Sequence, residues 1–168
     1  MSTVAIELRP ACEADVPAIT AVHDEAWLLA YRGIIPGREL ERMVSRRGPS
    51  WWAGAIRRGS GLLMMRVAGV TAGYASFGRN RAPMLGVSGE IYELYLKPEF
   101  QGVGFGRRLF TATRNELEGR GLHGTAVWAL SDNTGACDFY RAIGGQPAAR
   151  GTERFGEVSL EKIAFVWH

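Results

Sequence analysis

The sequence of 168 residues is poor in lysine and histidine, and it carries little net charge. Lys97 and Lys162 are the only lysines, so arginine supplies most of the positive charge, and the formal net charge is +3. No run of five like charges occurs, which argues against a nucleic-acid-binding arm and suits an anionic small ligand at least as well. His23, His123 and His168 are far apart and lack ligand spacing, so no metal site is predicted.

Cysteines and long apolar runs are also scarce. Cys12 and Cys137 form no CxxC pair and are too few for a secreted disulfide framework, so we expect two buried, unpaired thiols and a cytoplasmic protein. Residues 1–10 alternate apolar and polar side chains and lack the apolar segment of a signal peptide. No apolar stretch approaches the roughly 18 residues that a membrane span needs, so we expect a soluble protein without membrane contacts.

What the sequence does contain is an ordinary globular composition with an orderly series of elements. Apolar residues make up 46% of the chain, which is enough for one core, and we expect one domain over residues 1–168. The connection that carries Trp51 and Trp52 is expected to cover an edge of that core. Apolar patterns predict a mixed α/β fold with strands at 4–9, 62–67, 70–77, 90–96, 125–130, 147–150 and 158–167, and with helices near 15–30, 38–46, 107–120 and 133–143.

The segment 90–108 predicts a strand, a glycine-rich turn and a helix in succession. The first N–H groups of a helix are unpaired and lie at the positive end of its dipole, which favours anions. Gly102, Gly104 and Gly106 let the backbone approach such an anion closely because no Cβ intervenes. We therefore expect this turn to bind a diphosphate.

Three glycine-loop patterns compete for this turn. The spacing does not fit G-x-G-x-x-G, and no acidic residue ends a strand about twenty residues later. A P-loop requires Lys-Ser or Lys-Thr after its last glycine, and neither is present. The pattern that fits is Q-x-x-G-x-G, with Gln101, Gly104 and Gly106.

This pattern resembles the acetyl-CoA signature of the GNAT superfamily of N-acetyltransferases. The preceding segment, Leu94 to Phe100, is similar to the family's lead-in strand, and Asn133 to Tyr140 is similar to its N-x-x-A-x-x-F-Y helix. The resemblance implies a mostly antiparallel sheet of about seven strands with about four helices, splayed at the cofactor site. The chain departs from the family at Gly144-Gly145, where Gly-Phe is usual, and at Trp128, where some members place a base.

The resemblance implies direct attack of a primary amine on the thioester of acetyl-CoA in a ternary complex. A carboxylate would remove the proton of the ammonium, with Glu90 as first choice and Glu93 as second. Their odd separation predicts that the two carboxylates lie on opposite faces of one strand. Tyr140 would donate its hydroxyl proton to the departing sulfur. Each of these side chains could instead serve only the core or a salt bridge.

The family also implies which residues hold the cofactor and frame the acceptor. The backbone of Leu94, Tyr95 and Leu96 would bind the pantetheine arm. Asn133 would cap its helix and contact the cofactor. The acceptor would meet Trp27, Tyr31 and Arg79, although the aromatic side chains could simply pack together. The diphosphate would lie against Gln101, Gly102, Val103, Gly104, Phe105, Gly106 and Arg107, with Arg108 as an alternative cation.

Several functions stay open at this level. A small-molecule amine is the favoured acceptor, and a protein or peptide amine is the alternative. A non-catalytic acyl-CoA sensor and a module that binds another nucleotide diphosphate are further alternatives. Homodimers are common in the family, and the sequence does not determine the oligomeric state.

Overall fold

A computed structural model describes residues 3–168 as one seven-stranded sheet with five α-helices. The strands are β1 (Ile6–Pro10), β2 (Gly61–Val67), β3 (Val70–Arg79), β4 (Gly89–Leu96), β5 (Thr125–Leu130), β6 (Gln146–Phe155) and β7 (Val158–Trp167). The helices are α1 (Val16–Tyr31), α2 (Gly37–Arg46), α3 (Pro49–Arg57), α4 (Phe105–Gly119) and α5 (Thr134–Ala142). Within residues 3–168, no helix is long and apolar enough to cross a membrane.

The sheet order is β1-β2-β3-β4-β5-β7-β6, and only the β4–β5 pair is parallel. This confirms the predicted mixed α/β fold with a mostly antiparallel sheet. One face packs against α4 and α5 around Ile91, Leu109 and Phe165. The other face packs against α1 and α3, where Ile19 and Trp52 are buried. Both faces are therefore covered, as the apolar strands require.

The segment around Trp51 and Trp52 was expected to be a connection, and it is the helix α3. Gly48 provides the N-cap position, and Pro49 is the first helical residue, where its missing N–H costs nothing. Trp52 is buried against Tyr74 while Trp51 faces outward. The short helix was missed because two adjacent tryptophans obscure the helical period.

Asp15 is the N-cap residue of α1, but its side chain does not cap the helix. It accepts a bond from the Cys12 N–H at 2.8 Å and two from the Arg9 guanidinium at 2.7 and 2.8 Å. These bonds tie β1 to the turn before α1, and they lower the pKa of Asp15 to about 2. Both thiols are free, but Cys12 is exposed and only Cys137 is buried as expected.

Candidate active site

A cleft opens where β4 and β5 separate. The two strands pair only at Gly89–Thr125 and Glu90–Ala126, and beyond these residues each edge lacks its neighbour. The resulting cavity has a volume of about 690 Å³. Its wall includes Tyr31, Glu93, Leu94, Tyr95, Leu96, Gln101, Gly102, Gly104, Gly106, Arg107, Asn133 and Tyr140.

A β-bulge at Tyr92 changes the faces of the two candidate bases. Glu93 pairs with Ser76 and Ile91 pairs with Phe77, so Tyr92 is an extra residue in β4. Ser76 and Gly78 share a face of β3, and their partners are Glu93 and Glu90. The two carboxylates therefore lie on the same face, and the predicted opposite placement is wrong. A count of residues assumes an unbroken pleat, which the bulge interrupts.

Glu90 lies outside the cleft and forms an ion pair with Arg81. Its carboxylate is 1% exposed, and it accepts bonds from the Arg81 backbone N–H at 3.0 Å and from the guanidinium at 2.7 Å. The same guanidinium lies 4.3 Å from the centre of the Tyr92 ring. The first-choice base thus fastens the 80–88 loop onto the sheet, and the structure does not bring it to the cleft wall.

Glu93 is the carboxylate that reaches the cleft. It is 8% exposed, and its Oε2 accepts a bond from the Tyr74 hydroxyl at 2.6 Å. Its other oxygen forms an ion pair with Arg47, from the junction between α2 and α3. Sequence reasoning missed Arg47, because nothing local distinguishes it from the neighbouring arginine at position 46.

Tyr140 is buried in the core and also lines the cleft. Its ring lies 5.9 Å from the rings of both Phe165 and Trp167. Burial raises the pKa of the Tyr140 hydroxyl above its ordinary value. The group therefore stays protonated in neutral solution and is able to donate a proton.

The glycine turn presents an open row of backbone donors. Gly102 and Gly104 have φ angles of +78° and +93°, and a Cβ on either would meet nothing within 4 Å. Across the described chain, the backbone N–H groups from 102 to 107 donate to no backbone oxygen. The Gln101 side chain anchors the turn by donating to the Leu96 carbonyl at 3.0 Å. This arrangement fits a diphosphate, whose oxygens would accept from these groups.

The other residues predicted for the turn have different positions. Arg107 lines the cleft with an exposed side chain. Val103 is 68% exposed, and Phe105 packs against Phe100 with ring centres 6.1 Å apart, so neither side chain lines the cleft. A Cβ on Gly106 would lie 3.2 Å from the Phe139 ring, so this glycine permits close packing of α4 on α5.

Asn133 caps its helix as predicted and lies in the cleft wall. Its side-chain oxygen accepts from the Ala136 N–H at 3.3 Å and caps α5, and the residue also lines the cleft. Leu94, Tyr95 and Leu96 lie on the part of β4 that has no β5 partner, so backbone groups there are available to an extended ligand.

Of the three predicted acceptor residues, Trp27 and Tyr31 are brought together and Arg79 is not. Tyr31 lines the cleft, and its hydroxyl lies 3.1 Å from that of Tyr95. Trp27 packs edge-on against Tyr31 at 5.0 Å, behind the cleft wall. Arg79 is exposed at the end of β3 and does not line the cleft. No group of three metal-binding side chains occurs in the described part of the chain.

The chain resembles known acetyltransferases along most of its length. A family model for FR47-like proteins matches residues 84–155. The uncharacterized N-acetyltransferase YuaI of Bacillus subtilis (strain 168) is 28% identical over 96% of this chain and 92% of its own. The L-methionine sulfoximine/L-methionine sulfone acetyltransferase of Pseudomonas aeruginosa PAO1 is 27% identical over 82% of this chain and 78% of its own.

Solved structures share the fold. The PaiA N-acetyltransferase of Thermoplasma acidophilum, in complex with coenzyme A, aligns with a TM-score of 0.73 at 18% identity over 94% of this chain and 98% of its own. The putative acetyltransferase YncA of Salmonella typhimurium, with its cofactor acetyl-CoA, aligns with a TM-score of 0.68 at 24% identity. The alignment covers 97% of this chain and 93% of YncA.

Fold, cleft and relatives together define an acyltransferase that uses acetyl-CoA as its cosubstrate. The family model and the relatives support the resemblance of the chain's two motifs to the GNAT superfamily of N-acetyltransferases.

Proposed function

We propose that this protein, as a single catalytic domain over residues 1–168, transfers the acetyl group of acetyl-CoA to a primary amine of a small molecule. The observation that carries the proposal is the cleft between β4 and β5. One wall is the open glycine turn, and the same cavity also reaches a carboxylate, Glu93, and a protonated phenol, Tyr140. These are the groups that direct amine attack on a thioester requires.

The glycine turn and the free stretch of β4 would hold the cofactor, which supplies an activated acetyl thioester. Backbone N–H groups from 102 to 107 donate to the diphosphate, and Arg107 adds a positive charge. The β4 backbone around Leu94 to Leu96 binds the pantetheine arm in the manner of an added strand.

Glu93 takes the proton of the acceptor ammonium, directly or through one water. An alkyl ammonium with a pKa near 10.4 is protonated on arrival, and only the neutral amine attacks. The amine nitrogen forms a bond to the acetyl carbon, and the carbon–sulfur bond breaks. The second proton of the nitrogen passes to the Tyr140 oxygen, directly or through water, as that hydroxyl gives its own proton to the sulfur. Glu93 replaces Glu90 as the proposed base because only Glu93 lines the cleft.

Tyr140 donates its proton to the departing sulfur. The hydroxyl is held in a buried, water-poor wall, where a donor aimed at developing charge is most effective. Its raised pKa keeps the hydroxyl protonated in neutral solution, so the donor is present when negative charge develops on the sulfur.

One observation favours the alternative of a non-catalytic acyl-CoA sensor. Glu93 already has two partners, Tyr74 and Arg47, so it is not free to accept a proton in this structure. A thiol-release assay with small amines, and with peptides that have free N-termini or lysines, distinguishes the acetyltransferase from the sensor. Mass spectrometry identifies the product. Acetylation of a small amine supports the proposal. Binding of acetyl-CoA in calorimetry without CoA release from any acceptor would favour the sensor.

A further inference from the structure

The Arg47 guanidinium lies in an aromatic cage next to Glu93. We define the tryptophan cage as Trp27, Trp51 and Trp52, whose ring centres lie 5.9, 4.5 and 6.0 Å from the guanidinium carbon. Glu93 provides the only carboxylate that pairs with Arg47 in the described chain. Three ring faces and one carboxylate are the chemistry that recognises an organic cation.

The cage is built by parts of the protein that do not depend on the Arg47 side chain. Trp52 is fully buried, and its Nε1 donates to the backbone carbonyl of Arg47 at 3.0 Å, a bond that any residue at that position preserves. The Tyr74 hydroxyl holds the Glu93 carboxylate from the sheet side. The cation site should therefore persist when the arginine side chain is shortened.

Arg47 is only partly enclosed in this site. Its side chain is 29% exposed, and it comes from the short junction between α2 and α3 rather than from the sheet. On the outer side of the cage, Trp51 is 40% exposed, so this side of the cage faces solvent.

We propose that the tryptophan cage is the binding site for the cationic head of the acceptor, an aliphatic ammonium, and that the Arg47 guanidinium occupies this site until the acceptor displaces it. This rests on the proposed function, since it places the acceptor beside the proposed base. Displacement frees Glu93 at the moment when the ammonium arrives, which accounts for a base that is paired in the absence of acceptor. Arylamines, which are uncharged at neutral pH, would be poor acceptors because they gain nothing from the cage.

The test measures binding and not turnover. Tryptophan fluorescence and calorimetry are followed as n-butylammonium or n-butylguanidinium is added to the parent protein and to Arg47→Ala. We expect the variant to bind both cations at least ten-fold more tightly, because the internal competitor is gone. The uncharged n-butanol should show no gain. Arg47→Lys, which keeps a cation in the cage, should behave like the parent.

Two further variants locate the gained affinity. Adding Glu93→Gln or Trp51→Ala to Arg47→Ala should abolish the gain, since each removes part of the proposed site. Arg47→Met provides a second route should the alanine variant fold poorly, because it keeps the aliphatic stem and loses only the charge. Acetyl-CoA affinity, measured in parallel, verifies that each variant is folded.

The proposal is overturned if neither Arg47→Ala nor Arg47→Met binds these cations better than the parent, or if the gain survives Glu93→Gln. These outcomes are independent of catalysis. A protein that binds the cations as expected but releases no CoA with any amine would refute the proposed function and leave the cage intact.

Discussion

Replacing Gly104 with alanine should weaken coenzyme A binding far more than it weakens the fold. Gly104 is the N-cap of α4, has a φ angle of +93°, and lines the cleft beside the open N–H groups. An alanine there either keeps the left-handed backbone at a cost or relaxes and turns the N–H groups away from the diphosphate. Its methyl group would also project into space that is now empty.

The left-handed conformation costs an alanine about 1–2 kcal/mol, and for a chain of this size that lowers the melting temperature by roughly 2–8 °C. A hydrogen bond to a charged group contributes about 1.5–3 kcal/mol, so losing one such bond to the diphosphate weakens binding roughly 10- to 150-fold. Gly121, just beyond the C-terminal end of the same helix, is a matched control. Its φ angle is +76°, its Cβ position is also open, and it does not line the cleft.

Calorimetry with coenzyme A and thermal melts of both variants provide the measurement. Gly104→Ala and Gly121→Ala should lose similar stability, and only Gly104→Ala should lose affinity. Equal affinities in the two variants, with Gly104→Ala folded, would refute the assignment of the turn as the diphosphate site.

Tyr140→Phe should lower kcat about 10²–10³-fold with acetyl-CoA affinity nearly unchanged, and equal turnover would remove the hydroxyl from the mechanism. Because burial raises the pKa of Tyr140, the parent's pH–rate profile should show no alkaline loss from this group below about pH 10. Glu93→Gln should lower kcat about 10²–10⁴-fold, whereas Glu90→Gln should mainly lower the melting temperature; the reverse pattern in paired assays would restore Glu90 as the base. The pKa of Asp15 is about 2 in the folded protein and near 3.8 as a free side chain. Its contribution to the free energy of unfolding is therefore complete above about pH 4 and is lost as the pH falls toward 2. Melts of the parent and Asp15→Asn between pH 2 and 7 should therefore converge at the acid end, and a constant gap would contradict the ion pair with Arg9.

The elements whose structure is set by residues close together in the sequence could be predicted from the sequence. The hairpin of β2 and β3, the glycine turn before α4 and the cap of α5 at Asn133 follow from local backbone chemistry, which the residue types state directly. The family motifs added the order of the parts and the cofactor. The helix that contains Trp51 and Trp52 was not predicted, because it has only 9 residues and its apolar pattern is too short to show a helical period.

Two features of the site were decided only by the tertiary structure. The bulge at Tyr92 puts Glu90 and Glu93 on one face, because strand register is set by pairing with β3 and not by the sequence of β4 alone. The pairing of Arg47 with Glu93 joins residues 46 positions apart, on a helix junction and a central strand. The sequence by itself thus determined the glycine turn before α4, which is the proposed diphosphate site, and the helix that carries Tyr140. Long-range packing decides which carboxylate faces the cleft and which cation pairs with that carboxylate. No local sequence pattern encodes this packing.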